Sequence, residues 1–221
     1  LILGFFGPVY AEPVPDANNN AYPWNGTWVS DDFTLFILQN VSEISGDYVP
    51  LNFELYDPGH MQGTLSEDGK TFSGICTEKG FLKLNLSDDE MSFSGVGVIP
   101  PLGSMSEPYV YERNGTRSEN LSDLDNKWSG TWTTPKKTFE LIQNGTYVFG
   151  TNEPLLPEVK DEPGLFEGTV SEDGKTITLN WLETGNFTFT LSDDGSFFNG
   201  TYHVEPDPSR VSDSWNGTKI R

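Results

Sequence analysis

The sequence predicts an all-β protein built as two tandem eight-stranded antiparallel meander barrels, and three observations predict it. Apolar and polar residues alternate over short runs: at 186–191, Phe187, Phe189 and Leu191 fall on one side and Asn186, Thr188 and Thr190 on the other. Tight-turn signals such as Asn144-Gly145 and Asp193-Asp-Gly195 separate the runs, and no stretch carries a helical period. Third, the pattern is stated twice. Trp24-Asn-Gly-Thr-Trp28 returns as Trp128-Ser-Gly-Thr-Trp132, and Ser66-Glu-Asp-Gly-Lys-Thr71 as Ser171-Glu-Asp-Gly-Lys-Thr176. Leu86-Ser-Asp-Asp89 returns as Leu191-Ser-Asp-Asp194, and Asn114-Gly-Thr-Arg117 as Asn216-Gly-Thr-Lys219. The offsets are 128 − 24 = 104, 171 − 66 = 105, 191 − 86 = 105 and 216 − 114 = 102. A near-constant offset means duplication, with each copy of about 95 residues expected to close its own core.

In chain order, residues 1–11 are apolar and uncharged. They read as the distal part of a secretory signal or as an apolar N-terminal arm that adds a strand to a neighbour. Residues 12–23, with three prolines and the Asn18-Asn-Asn20 run, form a linker. The first barrel repeat spans 24–117, with strands expected at 24–29, 33–39, 48–55, 61–65, 71–77, 81–86, 92–98 and 109–117. A linker at 118–126 precedes the second repeat, 127–221. Its strands are expected at 127–133, 138–143, 147–152, 165–171, 176–183, 186–191, 196–204 and 214–221. Asn144-Gly145 marks a type I′ hairpin, and the prolines of 154–163 mark a loop. Closing eight strands removes exposed edges and leaves an interior that side chains fill or that holds one small ligand. Open β-sandwiches are the alternative.

The net charge is −20, from 33 acidic against 13 basic residues, which disfavours nucleic acid as a partner. No stretch approaches the ~20 apolar residues of a membrane span. Cys76 is the single cysteine, so no intrachain disulfide forms, and export without disulfides points to a prokaryote. Nine asparagines sit in Asn-x-Ser/Thr: Asn25, Asn40, Asn85, Asn114, Asn120, Asn144, Asn186, Asn199 and Asn216. They are N-glycosylation candidates and suggest an archaeal surface protein. The bland counter-reading is that Asn-Gly-Thr is good turn-plus-strand chemistry.

No nucleophile elbow, paired metal-spaced histidines or phosphate loop occurs, so no residue is assigned to catalysis, to a cofactor or to a metal. His60 and His203 are isolated, and Cys76 reads as a small buried hydrophobe. The acidic turns at Glu67-Asp68, Asp88-Asp89-Glu90, Glu172-Asp173 and Asp193-Asp194 suit Ca²⁺ or a plain tight turn, and the turn is preferred. A carboxylate pair cannot be singled out among 33 acids. Trp24, Trp28, Trp128 and Trp132 share strand faces, as an aromatic wall for a ligand or as plugs of the core, and the plug is preferred.

The opening Gly26-Thr-Trp28 and Gly130-Thr-Trp132 strands and the closing Asn114-Gly-Thr-Arg117 and Trp215-Asn-Gly-Thr-Lys219 strands resemble the avidin and lipocalin group of barrels. Ser192-Asp-Asp-Gly-Ser-Phe-Phe-Asn-Gly-Thr-Tyr202 is similar to Asp-Gly-rich β repeats of secreted prokaryotic proteins. No binding residue carries over from either resemblance. The expected function is a non-catalytic, secreted or cell-surface structural glycoprotein, self-assembling as a filament, sheath or matrix component through its arm. Its expected partners are other copies, other surface proteins and N-linked glycans. The alternative is a binding protein that holds a small ligand or glycan inside a barrel.

Overall fold

The computed structural model describes residues 22–118, 126–155, 163–204 and 213–221. The arm at 1–11, nearly all of both linkers and Asn120 lie outside the described residues. Alternating β-formers between turns give β1 (Gly26–Val29), β2 (Phe33–Asn40), β3 (Glu43–Pro50), β4 (Gly59–Leu65), β5 (Thr71–Leu86), β6 (Ser92–Ile99) and β7 (Tyr109–Arg117). The second repeat gives β8 (Gly130–Thr133), β9 (Lys137–Asn144), β10 (Tyr147–Pro154), β11 (Gly164–Val170), β12 (Thr176–Leu191), β13 (Phe197–Val204), β14 (Asp213–Ser214) and β15 (Gly217–Lys219). All pairings are antiparallel and no described residue is helical, so the all-β expectation holds.

The expected pair of separate tandem barrels does not. The strands form one continuous sheet that closes on itself twice, and the closures cross the repeats. The first circuit runs β1-β2-β3-β4-β5-β12-β13-β15 and returns to β1. The second runs β5-β6-β7-β8-β9-β10-β11-β12 and returns to β5. Each circuit therefore takes five strands from one repeat and three from the other, with β5 and β12 serving both.

The difference arises at two short segments. The sequence ends one strand at Thr77 and opens the next at Phe81, as a hairpin would, and breaks the second repeat in the same way between Glu183 and Asn186. In the structure each pair of strands is fused into one 16-residue strand, and the two lie against each other from Thr71↔Thr190 to Asn85↔Thr176. Glu-Lys-Gly and Glu-Thr-Gly are compatible with a turn or with extended chain, and the partner ladder decides between them.

The cores confirm the exchange. One contains Trp24, Trp28, Leu35 and Phe72 with Phe187, Phe189, Phe198 and Trp215 from the other repeat. The second contains Leu82, Leu84 and Phe93 with Trp128, Trp132, Phe139 and Trp181. Phe198 lies 5.4 Å from the Trp28 ring, and its repeat twin Phe93 lies 5.4 Å from Trp132. Each circuit closes under a cation: Lys219 stands 5.4 Å over Trp28, and Arg117 4.2 Å over Trp132.

Local expectations shift as well, and the closing strand expected at 214–221 is two short ones, β14 and β15. The third strand forms over β3 rather than 48–55, leaving residues 51–58 as a connection from β3 to β4. The hairpin after β9 turns on Gly145 and Thr146, since Asn144 pairs with Tyr147. Of those two turn residues only Gly145 has positive φ, 62°, which fits a type II′ turn rather than type I′. In the first repeat Val41 occupies that same position at φ 58°.

Candidate functional site

A buried row of side chains crosses the sheet at the middle of the β5–β12 ribbon. The ladder places Leu35, Tyr48, Gly59, Glu78, Glu183, Gly164, Asn152 and Phe139 opposite one another on successive strands. Read from either end, the row meets repeat equivalents, since 183 − 78 = 105 and 164 − 59 = 105. An approximate two-fold axis thus passes between Glu78 and Glu183.

The glycines are what let the row bond. A Cβ on Gly59 would stand 2.1 Å from the Tyr48 hydroxyl, and one on Gly164 would stand 2.7 Å from the Asn152 amide nitrogen. With both gaps open, the Tyr48 hydroxyl donates to Glu78 Oε1 at 2.9 Å, and Asn152 Nδ2 donates to Glu183 Oε1 at 3.1 Å.

Like charges facing each other on paired strands are destabilising, and burial worsens this. Lys137 of β9 offsets it. Its ammonium lies 2.5 Å from Glu183 Oε1, with the two side chains 4% and 3% exposed. The first repeat has Phe33 at the equivalent position, packed 5.5 Å from Tyr48 and 5.2 Å from Trp215. One circuit therefore ends in rings and the other in charge.

Asp57 reaches the charged end from the β3–β4 connection, and one oxygen each of Asp57, Glu78 and Glu183 lie within 4.8 Å of one another. Asp57, Tyr111, Arg113, Asn152, Trp181 and Glu183 line part of a cavity there. Burial raises the Tyr111 phenol above its usual range, Arg113 beside it pulls the other way, and Asp57 raises it again. Asn152 Oδ1, Trp181 Nε1 and Arg113 Nε have no hydrogen-bond partner among the described residues. The free interior is about 10 Å³ for the centre of a water-sized sphere, room for one water or ion and far too little for a sugar. Three carboxylates of this kind can hold a hard cation, but the Lys137 ammonium already supplies a positive charge to them. The arrangement is an internal ionic knot of three carboxylates and one ammonium.

The residues singled out in the sequence fall elsewhere. Trp24, Trp28, Trp128 and Trp132 are fully buried. Their indole N–H groups donate to Gly69 O, Trp24 O, Gly174 O and Trp128 O, so they present no wall to a ligand. In the acidic turns Asp68, Asp89, Asp173 and Asp194 each accept from a serine hydroxyl at 2.6–2.7 Å and from a backbone N–H. These turn carboxylates are occupied within their own turns, and among the described residues they gather no third acid. His60 Nδ1 lies 2.8 Å from Asp47, and His203 lies in β13, so the two histidines do not meet. Cys76 is buried in the first core. Six sequon asparagines are exposed (Asn40, Asn85, Asn114, Asn144, Asn199 and Asn216), while Asn25 and Asn186 are half-buried.

Sequence reasoning missed Asp57, Glu78, Lys137, Asn152 and Glu183. A signal existed: Glu78 and Glu183 are repeat equivalents on the inward parity of strands whose other inward residues are apolar. No protein-family model, curated protein or solved structure matches the chain.

Proposed function

We propose that the chain is a non-catalytic, secreted or cell-surface structural glycoprotein, a component of a filament, sheath or matrix, in an exporting prokaryote such as an archaeon. The observation that carries this reading is the division of the sheet's two faces. The inward face is filled with rings and a small ionic knot, while the outward face bears the exposed sequons. Turn chemistry does not account for the motif everywhere. Asn114-Gly-Thr116 and Asn199-Gly-Thr201 lie inside β7 and β13, where Gly115 makes room for the Phe93 ring and Gly200 for Phe189. The glycine is thereby explained and the outward asparagine is left for another purpose. The likeness to avidin and lipocalin barrels belongs to the same proposal, as a likeness of closed meanders without a ligand.

Mass spectrometry of protein isolated from its source tests this. The expected result is glycan at several of Asn40, Asn85, Asn114, Asn144, Asn199 and Asn216. Unmodified asparagines throughout would remove the glycoprotein reading. A barrel-interior ligand or glycan site is the competing proposal, and the cavity beside Glu183, with about 10 Å³ of free space, is too small to be one.

A further inference from the structure

The ladder closures that join the two repeats, and the Lys70 and Lys175 ion pairs beside them, come in twins related by the approximate axis. β15 closes on β1 through Trp28↔Lys219 and Val29↔Thr218, and β7 closes on β8 through Trp132↔Arg117 and Thr133↔Thr116. Lys70 of the first repeat pairs with Asp193 of the second at 2.5 Å, and Lys175 of the second pairs with Asp88 of the first at 3.4 Å. Leu191 N donates to Lys70 O at 2.9 Å and Leu86 N to Lys175 O at 2.8 Å. The β5–β12 ladder joins the repeats along its whole length.

None of these contacts identifies its partner as the same molecule. The repeats are joined covalently only through the segment between Ser118 and Asn126, whose extended reach is about 28 Å. A short tether gives its partner an effective concentration in the millimolar range, and a second chain at comparable local density competes for the same strands. The swap costs no new interface.

We propose that a second copy of this chain can replace the partner repeat, so that the protein oligomerises by exchanging whole repeats: the first repeat of one copy closes its circuits with the second repeat of the next. Two copies give a closed dimer, and successive copies give an open chain. The proposal deepens the structural reading above, on which it rests for its biological purpose, and does not involve residues 1–11.

The test uses the full chain with a protease site placed between Ser118 and Asn126. It is refolded from denaturant at micromolar and near-millimolar concentration, and its mass is measured in solution before and after cleavage. The expected result is oligomer that grows with concentration and collapses on cleavage to units of one-chain mass, because only the linkers bridge the units. Oligomers that keep their size after cleavage overturn the exchange and leave a structural role standing. Monomer alone at every concentration overturns the exchange as well, and the structural role then stands or falls on the glycan measurement.

A second measurement guards against an inert cleavage site. Lys83 and Thr178 are exposed and directly opposed on β5 and β12. In a Cys76→Ala background, chains carrying Lys83→Cys and chains carrying Thr178→Cys are refolded together and oxidised. A disulfide between the two kinds of chain, rising at least tenfold from dilute to concentrated refolding, supports exchange. Its absence, when a chain with both substitutions bridges internally, refutes it.

Discussion

Glu78 and Glu183, equivalent residues of the two repeats, are cross-strand neighbours at the centre of the β5–β12 ribbon. Both are buried, and each accepts a hydrogen bond from a side chain two strands away, Tyr48 or Asn152. A lysine from one repeat alone approaches the pair. That asymmetry makes Lys137 the side chain on which the seam depends.

Replacing Lys137 with Ala should destabilise the protein by about 3–5 kcal/mol, since it strands carboxylates away from water without their cation. In that variant Asp57, Glu78 and Glu183 are left as an acidic oxygen cluster, and millimolar Ca²⁺ should recover part of the loss while leaving the parent protein unchanged. Urea unfolding with Ca²⁺ and with chelator checks both arms. A variant as stable as the parent would refute the role given to Lys137.

Gly59→Ala should cost about 1–3 kcal/mol, because the new methyl displaces the Tyr48 hydroxyl from Glu78. Tyr48→Phe removes the same hydrogen bond without the clash. The double variant should therefore fall short of the sum of the two single losses. Additive losses would show that the glycine gap and the hydrogen bond are unrelated.

Val41→Gly should stabilise the protein by about 1 kcal/mol. Val41 is 69% exposed and carries a β-branched side chain at φ 58°, where its repeat twin is Gly145 at φ 62°. Relief of strain outweighs the added chain entropy of glycine. Thermal melts of Val41→Gly and Gly145→Val should move in opposite directions.

The four Ser-x-Asp turns set an acid limit. The Ser66, Ser87 and Ser171 hydroxyls hold Asp68, Asp89 and Asp173 below the usual carboxylate range, and Ser192 with Ser196 holds Asp194 at about 2. A depressed carboxylate stabilises the fold above its unfolded value near 3.9, and that contribution disappears as pH falls through the folded value. Stability should accordingly drop from about pH 4 towards pH 2. Asp194→Asn should flatten the drop, as followed by urea midpoints across that range.

What was legible in the sequence was local. Alternation placed β9, β10 and β13 within a residue or two, because one side of each strand is wet and the other is packed. It misplaced β3, because Leu51, Phe53 and Leu55 alternate like a strand although they lie in the connection that carries Asp57 towards the second circuit. The crossing of the two circuits between repeats left no local mark. Glu78-Lys79-Gly80 satisfies a turn as readily as a strand, and the choice is made by a ladder partner about 105 positions away. The knot was hidden for the same reason: Lys137, Asn152 and Glu183 meet only after the four strands β9 to β12 have paired.

Duplication ordinarily yields two units that fail independently, so that damage to one spares the other. Sharing β5 and β12 withdraws that redundancy. Neither half of the molecule can melt while the other stays intact, because melting either one removes two of its neighbour's eight staves. The chain should unfold in a single calorimetric transition, with an enthalpy belonging to both repeats together rather than to one. Heat, acid or a protease would then find no half-open form to attack.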